Sequence, residues 1–129
     1  MAAAATMALS ALLGGCGGSD VVTAGDVTVL VGERSQEGME ALLSGRLAVL
    51  DGCLGLESEE AAASYVVIWP HGTEVVGEDP VSISVPDDGE YSVGDRLQVG
   101  GGETAPSGRP GGVDVEAECP GAAVWLAHG

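Results

Sequence analysis

Alternating hydrophobic and polar residues predict short β-strands over most of the chain. Val81–Val85 alternates strictly between branched aliphatic residues and serines, which predicts one buried face and one solvated face. Residues 27–31 are mostly β-branched, and residues 65–69 are hydrophobic at every position. Since a continuously hydrophobic strand is buried on both faces, we expect residues 65–69 at the centre of a sheet.

Turn signals separate these strands at short intervals. Asp51-Gly52 predicts a tight hairpin between strands at 46–50 and 53–56. The Pro-Asp-Asp-Gly run at 86–89 predicts a second turn. Residues 100–112 contain six glycines and two prolines, which predicts a loop. The remaining predicted strands lie at 91–93, 96–99, 113–118 and 123–127.

Helical signals are few. Residues 35–43 favour one short helix, with Ser35 as its cap and Met39, Leu42 and Leu43 on one face. Residues 57–63 are acidic and alanine-rich, which indicates a solvated loop or one helical turn. Many short strands with closely spaced turns predict an all-β fold, specifically a small OB-like or Greek-key β-barrel with at most one short helix.

The N-terminal residues differ in character from the rest. Residues 1–15 carry no charge, and residues 2–13 form an apolar run in which Thr6 and Ser10 are the polar members. This run is shorter than the roughly 20 residues that cross a bilayer, and it is typical of a cleaved signal peptide. We therefore expect a signal peptide at 1–15, a flexible tether at 16–26 and one small β domain at 27–129.

The end of this run carries a family motif. Leu13-Gly14-Gly15-Cys16 resembles the bacterial lipobox. The resemblance implies that Cys16 becomes the mature N-terminus and carries acyl chains such as palmitate, which anchor an extracytoplasmic lipoprotein to the cell membrane. An ordinary secretory signal, or a buried apolar helix with an incidental cysteine, are the alternatives that the residues leave open.

A second resemblance covers residues 45–128. Gly-Arg-Leu-Ala-Val-Leu-Asp-Gly-Cys-Leu at 45–54, Val-Ile-Trp-Pro-His-Gly-Thr at 67–73 and Val-Gly-Asp-Arg-Leu-Gln-Val-Gly-Gly-Gly at 93–102 are similar to segments of small exported β domains of actinobacteria. Those domains have no assigned activity. The Gly-Asp-Arg segment also resembles strands of five-stranded barrels of the OB type.

Composition narrows the set of partners. The chain of 129 residues has 20 acidic and four basic side chains, a formal charge of −16. Without a basic footprint, nucleic acid is excluded as a partner. Clustered Lys or Arg for docking to anionic lipid is missing as well, so we expect contact with the membrane through the lipid alone.

The three cysteines divide into one and two. With Cys16 assigned to the lipid, Cys53 and Cys119 are left as an even pair. In an exported domain such a pair predicts a disulfide. A metal site is the alternative, but neither thiol belongs to a Cys-x-x-Cys motif.

Candidate binding residues lie in two predicted loops, 69–72 and 100–112. Trp69, His71, Gly101 and Gly102 are the candidates there, because barrel loops commonly carry ligands. The competing interpretations are a core tryptophan and an exposed turn histidine. A third loop holds Asp87, Asp88, Glu90 and Asp95, whose oxygens suit calcium or serve as a solvated surface.

These observations favour a non-catalytic binding module of the cell envelope, with no resident cofactor and an envelope protein as partner. A calcium-binding module is the first alternative. A hydrolase based on paired carboxylates is the second, although the chain contains no Gly-x-Ser-x-Gly motif.

Overall fold

The computed structural model describes residues 18–34, 40–59 and 63–128. Strands dominate these residues, which confirms the predicted all-β class, and the single α-helix, α1, is one turn long. The elements are β1 Asp20–Ala24, β2 Val27–Val31, β3 Ala41–Leu50, β4 Cys53–Ser58, β5 Ser64–Trp69, β6 Glu74–Glu78, β7 Val81–Val85, β8 Gly89–Ser92, β9 Arg96–Thr104, the 3-10 turn Pro110–Gly112, α1 Val115–Glu118 and β10 Val124–Ala127.

Seven strands form the larger sheet in the order β1-β2-β4-β3-β9-β10-β5, and β5 also pairs with β2 and β4. The β3–β4 hairpin turns at Asp51-Gly52 as predicted, with Leu50 opposite Cys53. β10 lies antiparallel to β9 and parallel to β5. Within the described ranges β1 pairs with β2 alone, so the sheet keeps an open edge and the seven strands are not a closed barrel.

The smaller sheet is the antiparallel meander β6-β7-β8. Its middle strand buries Val81, Ile83 and Val85 against the main core, and the intervening serines are half-buried. The predicted alternation of β7 is therefore confirmed. A register shift between Val75 and Gly77 interrupts the pairing of β6 with β7.

Strand β5 is buried on both faces, as its continuous hydrophobicity predicts. Val67 and Trp69 point into the main core, which the strands of both sheets share. Val66 and Ile68 belong to a second cluster with Val113, Val115, Val124 and both bonded cysteines. The segment between β9 and β10 thus covers the outer face of β5.

A disulfide joins Cys53 and Cys119, with an S–S distance of 2.05 Å, which confirms the predicted pair. Cys53 begins β4, and Cys119 follows α1 directly. The two residues are 66 positions apart in sequence. The bond therefore links the segment between β9 and β10 to the β3–β4 hairpin.

The predicted tether is too long. Asp20–Ala24 is strand β1, in full antiparallel register with β2 from Asp20 opposite Val31 to Ala24 opposite Val27. Ala24 is 1% exposed and Val22 packs against the main core. Val21, Val22 and Thr23 are β-branched and favour a strand, and the pairing with β2 completes it.

The predicted helix at 35–43 is wrong at its C-terminal end, because residues 41–43 begin β3. Leu43 lies opposite Val99 and is buried, while Leu42 faces outward. Residues 35–39 lie outside the described ranges. The two leucines alternate as a strand requires, and the pairing with β9 decides between the two conformations.

Two further predictions at the C-terminal end are wrong. Residues 100–104 continue β9 and are not a loop. Residues 113–118 contain helix α1 in place of a strand, because the Asp114 carboxylate accepts a hydrogen bond from the Ala117 backbone N–H. A capping carboxylate stabilises even a single helical turn.

The predicted signal peptide and the lipidated residue Cys16 lie outside the described ranges. Residues 57 and 58 end β4, and residues 60–62 of the predicted acidic loop are also outside them. Across the described residues, none of the helices has the length and apolar character that crossing a membrane requires.

Candidate functional site

A cleft of about 270 Å³ lies beside the disulfide. Three pieces of chain form it: the β3–β4 turn with Leu50 and Asp51, the start of β5 with Ser64 and Val66, and residues 119–123. We call this the disulfide cleft. Its buried lining residues Val66 and Cys119 are apolar, whereas the exposed residues Asp51, Ser64 and Gly121 give its rim a polar character.

Local sequence shapes the walls of the cleft. Gly55 lets β4 approach β5 closely, because a Cβ there would collide with the Tyr65 carbonyl oxygen, and it also leaves room for the Leu50 side chain, whose Cδ1 atom would lie 2.9 Å from that Cβ. The chain then reverses at Pro120-Gly121, where Gly121 adopts a φ of 79°. Beyond the turn, the Val66 N–H donates a 2.9 Å hydrogen bond to the Ala123 carbonyl. These contacts hold the two walls of the cleft.

The cleft suits binding of a small group. Ligand sites of about 300–1,000 Å³ accommodate a drug-sized molecule, so this volume fits a single side chain or a short peptide segment. Asp51 is exposed and supplies a carboxylate at the rim. A cationic group is therefore the chemistry that the rim favours.

Trp69, one of the predicted ligand-binding residues, does not contact solvent. It ends β5 and is 0% exposed, inside the main core. The competing interpretation of a core tryptophan is therefore the correct one. Its neighbour His71 is half-buried, and its Nδ1 atom lies 3.3 Å from the Gly32 carbonyl oxygen, within hydrogen-bonding distance of the backbone.

Gly101 and Gly102 are also not on a ligand loop. Both are buried in β9, opposite Ala127 and Leu126 of β10. A Cβ on Gly101 would collide with the Leu126 carbonyl oxygen, so this glycine allows two strands to approach closely. The glycine run thus serves packing at this point of the sheet.

Two of the four acidic turn residues accept local hydrogen bonds. The Tyr91 hydroxyl donates to the Asp88 carboxylate at 2.8 Å, and this bond raises the pKa of Tyr91. The Asp95 carboxylate accepts from the Ser92 backbone N–H, also at 2.8 Å. Asp87 and Glu90 are exposed. In the described part of the chain, no three His, Cys, Asp or Glu residues are grouped to hold a metal ion, so the geometry does not support calcium there.

One aromatic pair marks the start of β5. The rings of Tyr65 and Trp125 meet edge to face, with their centroids 5.8 Å apart. The Tyr65 hydroxyl points toward Glu103 at 3.4 Å. Desolvation first, and the Glu103 charge second, raise the pKa of Tyr65.

The disulfide cleft was missed because its walls are distant in sequence. Asp51 and Gly121 lie in turns that the sequence signals individually, and the Cys53–Cys119 pairing brings those turns together. The predicted disulfide was thus the available clue, since two turns adjoining bonded cysteines must lie close to each other.

Comparison with known proteins yields no relative. No protein-family model matches the chain, and searches of the curated proteins and of the solved structures gave no match either.

Proposed function

We propose that this chain is a lipid-anchored, extracytoplasmic binding module of the bacterial cell envelope, without catalytic activity. Cys16 would carry the lipid, and the disulfide cleft would bind a cationic segment of an envelope protein. The observation that carries the proposal is the Cys53–Cys119 disulfide.

The disulfide bears on both compartment and anchor. Structural disulfides persist in oxidising compartments outside the bacterial cytoplasm. The bond also uses two of the three cysteines and leaves Cys16, the last residue of the lipobox-like motif, as the remaining thiol. A single apolar run ending in that thiol matches export followed by lipid attachment.

For the fold, we propose an OB-like barrel built from five of the strands. The support is the pairing of β3 with β4, β4 with β5, β5 with β10, β10 with β9, and β9 with β3. The β5–β10 pair is parallel and the other four are antiparallel. In such an arrangement the meander β6-β7-β8 would close one end of the barrel with Ile83.

Charge supports the choice of partner. A net charge of −16 steers cationic partners toward this domain and repels acidic ones. Asp51 at the rim supplies a defined carboxylate for one Lys or Arg side chain. A peptide segment rich in these residues, presented by another envelope protein, is the occupant that we propose.

The anchor is tested by expressing the full chain and its Cys16→Ser variant in a bacterium. The mass of the N-terminal peptide should show a diacylglyceryl cysteine at residue 16, and the protein should sediment with membranes. The variant should lose both properties. An unmodified Cys16 in an otherwise exported protein would refute the anchor.

The binding role is tested with a Lys-rich decapeptide and a Glu-rich decapeptide of equal length. Amide NMR shifts should change around Ser64 and residues 119–123 with the first peptide alone. Ala123→Phe should weaken binding because it fills the cleft rim, whereas the matched variant Ala105→Phe, at an exposed position outside the cleft lining, should not. Shifts spread evenly over the acidic surface would refute the cleft as the site.

A further inference from the structure

The first described residues are fastened to the domain. The Ser19 hydroxyl donates a 2.9 Å hydrogen bond to the Gly112 carbonyl, 93 positions further along the chain. Asp20 then begins β1, which pairs along its whole length with β2. The chain is therefore attached to the domain at Ser19 and through β1.

This attachment leaves only a short linker, residues 16–19, between the proposed anchor and the domain. Three peptide units separate Cys16 from Ser19, so their Cα atoms can be at most about 11 Å apart. By comparison, the ten residues of β3 span about 33 Å. A lipid on Cys16 would thus hold Ser19 close to the bilayer, because the linker is much shorter than the domain.

Strand register identifies the end of the domain that bears Ser19. Asp20 lies opposite Val31, and Val31 lies opposite Trp69 at the end of β5. Glu33 donates its backbone N–H to the Gly111 carbonyl at the same place. Ser64, which lines the disulfide cleft, lies at the other end of β5, about 17 Å from Trp69 along the strand.

Two of the four arginines lie at the Ser19 end. Arg109 donates to the carbonyl of Gly112, the acceptor that Ser19 also uses, at 3.4 Å, and most of its side chain is exposed. The Arg109 Nη1 atom also lies 3.8 Å from the Asp114 carboxylate, in an exposed ion pair of the kind that contributes little in water. Arg34 follows Glu33 and is exposed. Guanidinium groups suit lipid phosphates.

We propose that the end of the domain formed by Ser19, Gly112 and Arg109 faces the phosphate plane of the membrane, and that the disulfide cleft faces away from it. This inference rests on the proposed lipid anchor at Cys16. The short linker would impose this orientation, since the overall negative charge does not attract the domain to lipid. The membrane-facing end would leave the cleft open to partners in the envelope.

The absence of lysine from the chain makes a clean experiment possible. Arg34→Lys places one lysine at the Ser19 end. Arg96→Lys is the same substitution at the cleft end, where Arg96 pairs with Glu59 at 2.9 Å near the start of β5. Each full-length, lipidated variant is labelled with an amine-reactive fluorophore and reconstituted in phosphatidylcholine vesicles that contain headgroup nitroxide lipid. The lysine-free parent serves as the blank for labelling of the N-terminus.

Quenching by the nitroxide should be at least about threefold stronger at residue 34 than at residue 96, because the linker spans at most about 11 Å. Inserting about ten Gly and Ser residues after Gly18 should bring the two values close together, because such a linker is flexible. Equal quenching at residues 34 and 96 in the lipidated variants without the insertion, or stronger quenching at residue 96, would overturn the orientation alone. If mass analysis shows an unlipidated Cys16, the proposed anchor fails and the orientation fails with it.

Discussion

The Tyr91 hydroxyl donates a 2.8 Å hydrogen bond to the Asp88 carboxylate three residues earlier. This bond, followed by partial desolvation and the Asp88 charge, raises the pKa of Tyr91 above its ordinary value of 10.0. It also fastens the turn between β7 and β8 to the strand that follows it.

We predict that Asp88→Asn lowers the pKa of Tyr91 toward 10, because the amide carries no charge. The measurement is the phenolate absorbance in a Tyr65→Phe background, where Tyr91 is the remaining tyrosine. A folded-state pKa above the unfolded one stabilises the protein below pH 10, and this contribution is lost as the pH rises through the folded value. With no lysine titrating in that range, the alkaline loss of stability should be smaller in the variant. An unchanged titration curve would show that the bond is not formed in solution.

Reduction of the Cys53–Cys119 disulfide should lower the free energy of unfolding by about 4 kcal/mol, the loop-closure value for a separation of 66 residues. Urea titrations with and without reductant, in a Cys16→Ser background, give the difference. The Cys53→Ala/Cys119→Ala double variant is the control and should be insensitive to reductant. Equal stability of oxidised and reduced protein would contradict this prediction.

Gly101→Ala should destabilise the fold by about 3 kcal/mol, the upper range for overpacking a core. The added Cβ meets the Leu126 carbonyl oxygen, and Gly101 has a φ of 145°. Gly18→Ala is the matched control, because nothing lies within 4 Å of a Cβ at that position. Thermal unfolding of both variants checks the prediction, and similar melting temperatures would refute the close approach of β9 and β10.

Ile83→Ala should cost about 4 kcal/mol, because this side chain of β7 is 0% exposed and leaves a cavity in the main core. Val76→Ala in the neighbouring strand should cost less than about 0.5 kcal/mol, since Val76 is 47% exposed. Urea unfolding distinguishes the two. A small effect at Ile83 would mean that the meander β6-β7-β8 does not share the core of the larger sheet.

Local sequence signals predicted the elements that depend on local chemistry. The Asp51-Gly52 hairpin, the alternating strand β7 and the central strand β5 follow from turn chemistry and hydrophobic periodicity. The Cys53–Cys119 bond follows from counting cysteines. These features need no information about distant partners.

Most of the failures are decided by contacts between distant segments. The glycines of β9 form a strand because β10 approaches closely. Strand β1 is an exception, because its β-branched residues and its two-residue turn to β2 are local signals. Helix α1 is another, because its Asp114 cap is local. Residues 41–43 join β3 through pairing with β9. The disulfide cleft was unforeseen for the same reason, and burial of Trp69 removed the predicted ligand residue that carried most of the apolar contact.

The disulfide also changes what a protease can do to this chain. A single cut at any turn between residues 53 and 119 leaves two pieces that remain covalently joined. The C-terminal piece contributes β10, which lies between β9 and β5 in the larger sheet. A nicked molecule therefore keeps the strand that completes its sheet, and the N-terminal piece does not lose it by diffusion.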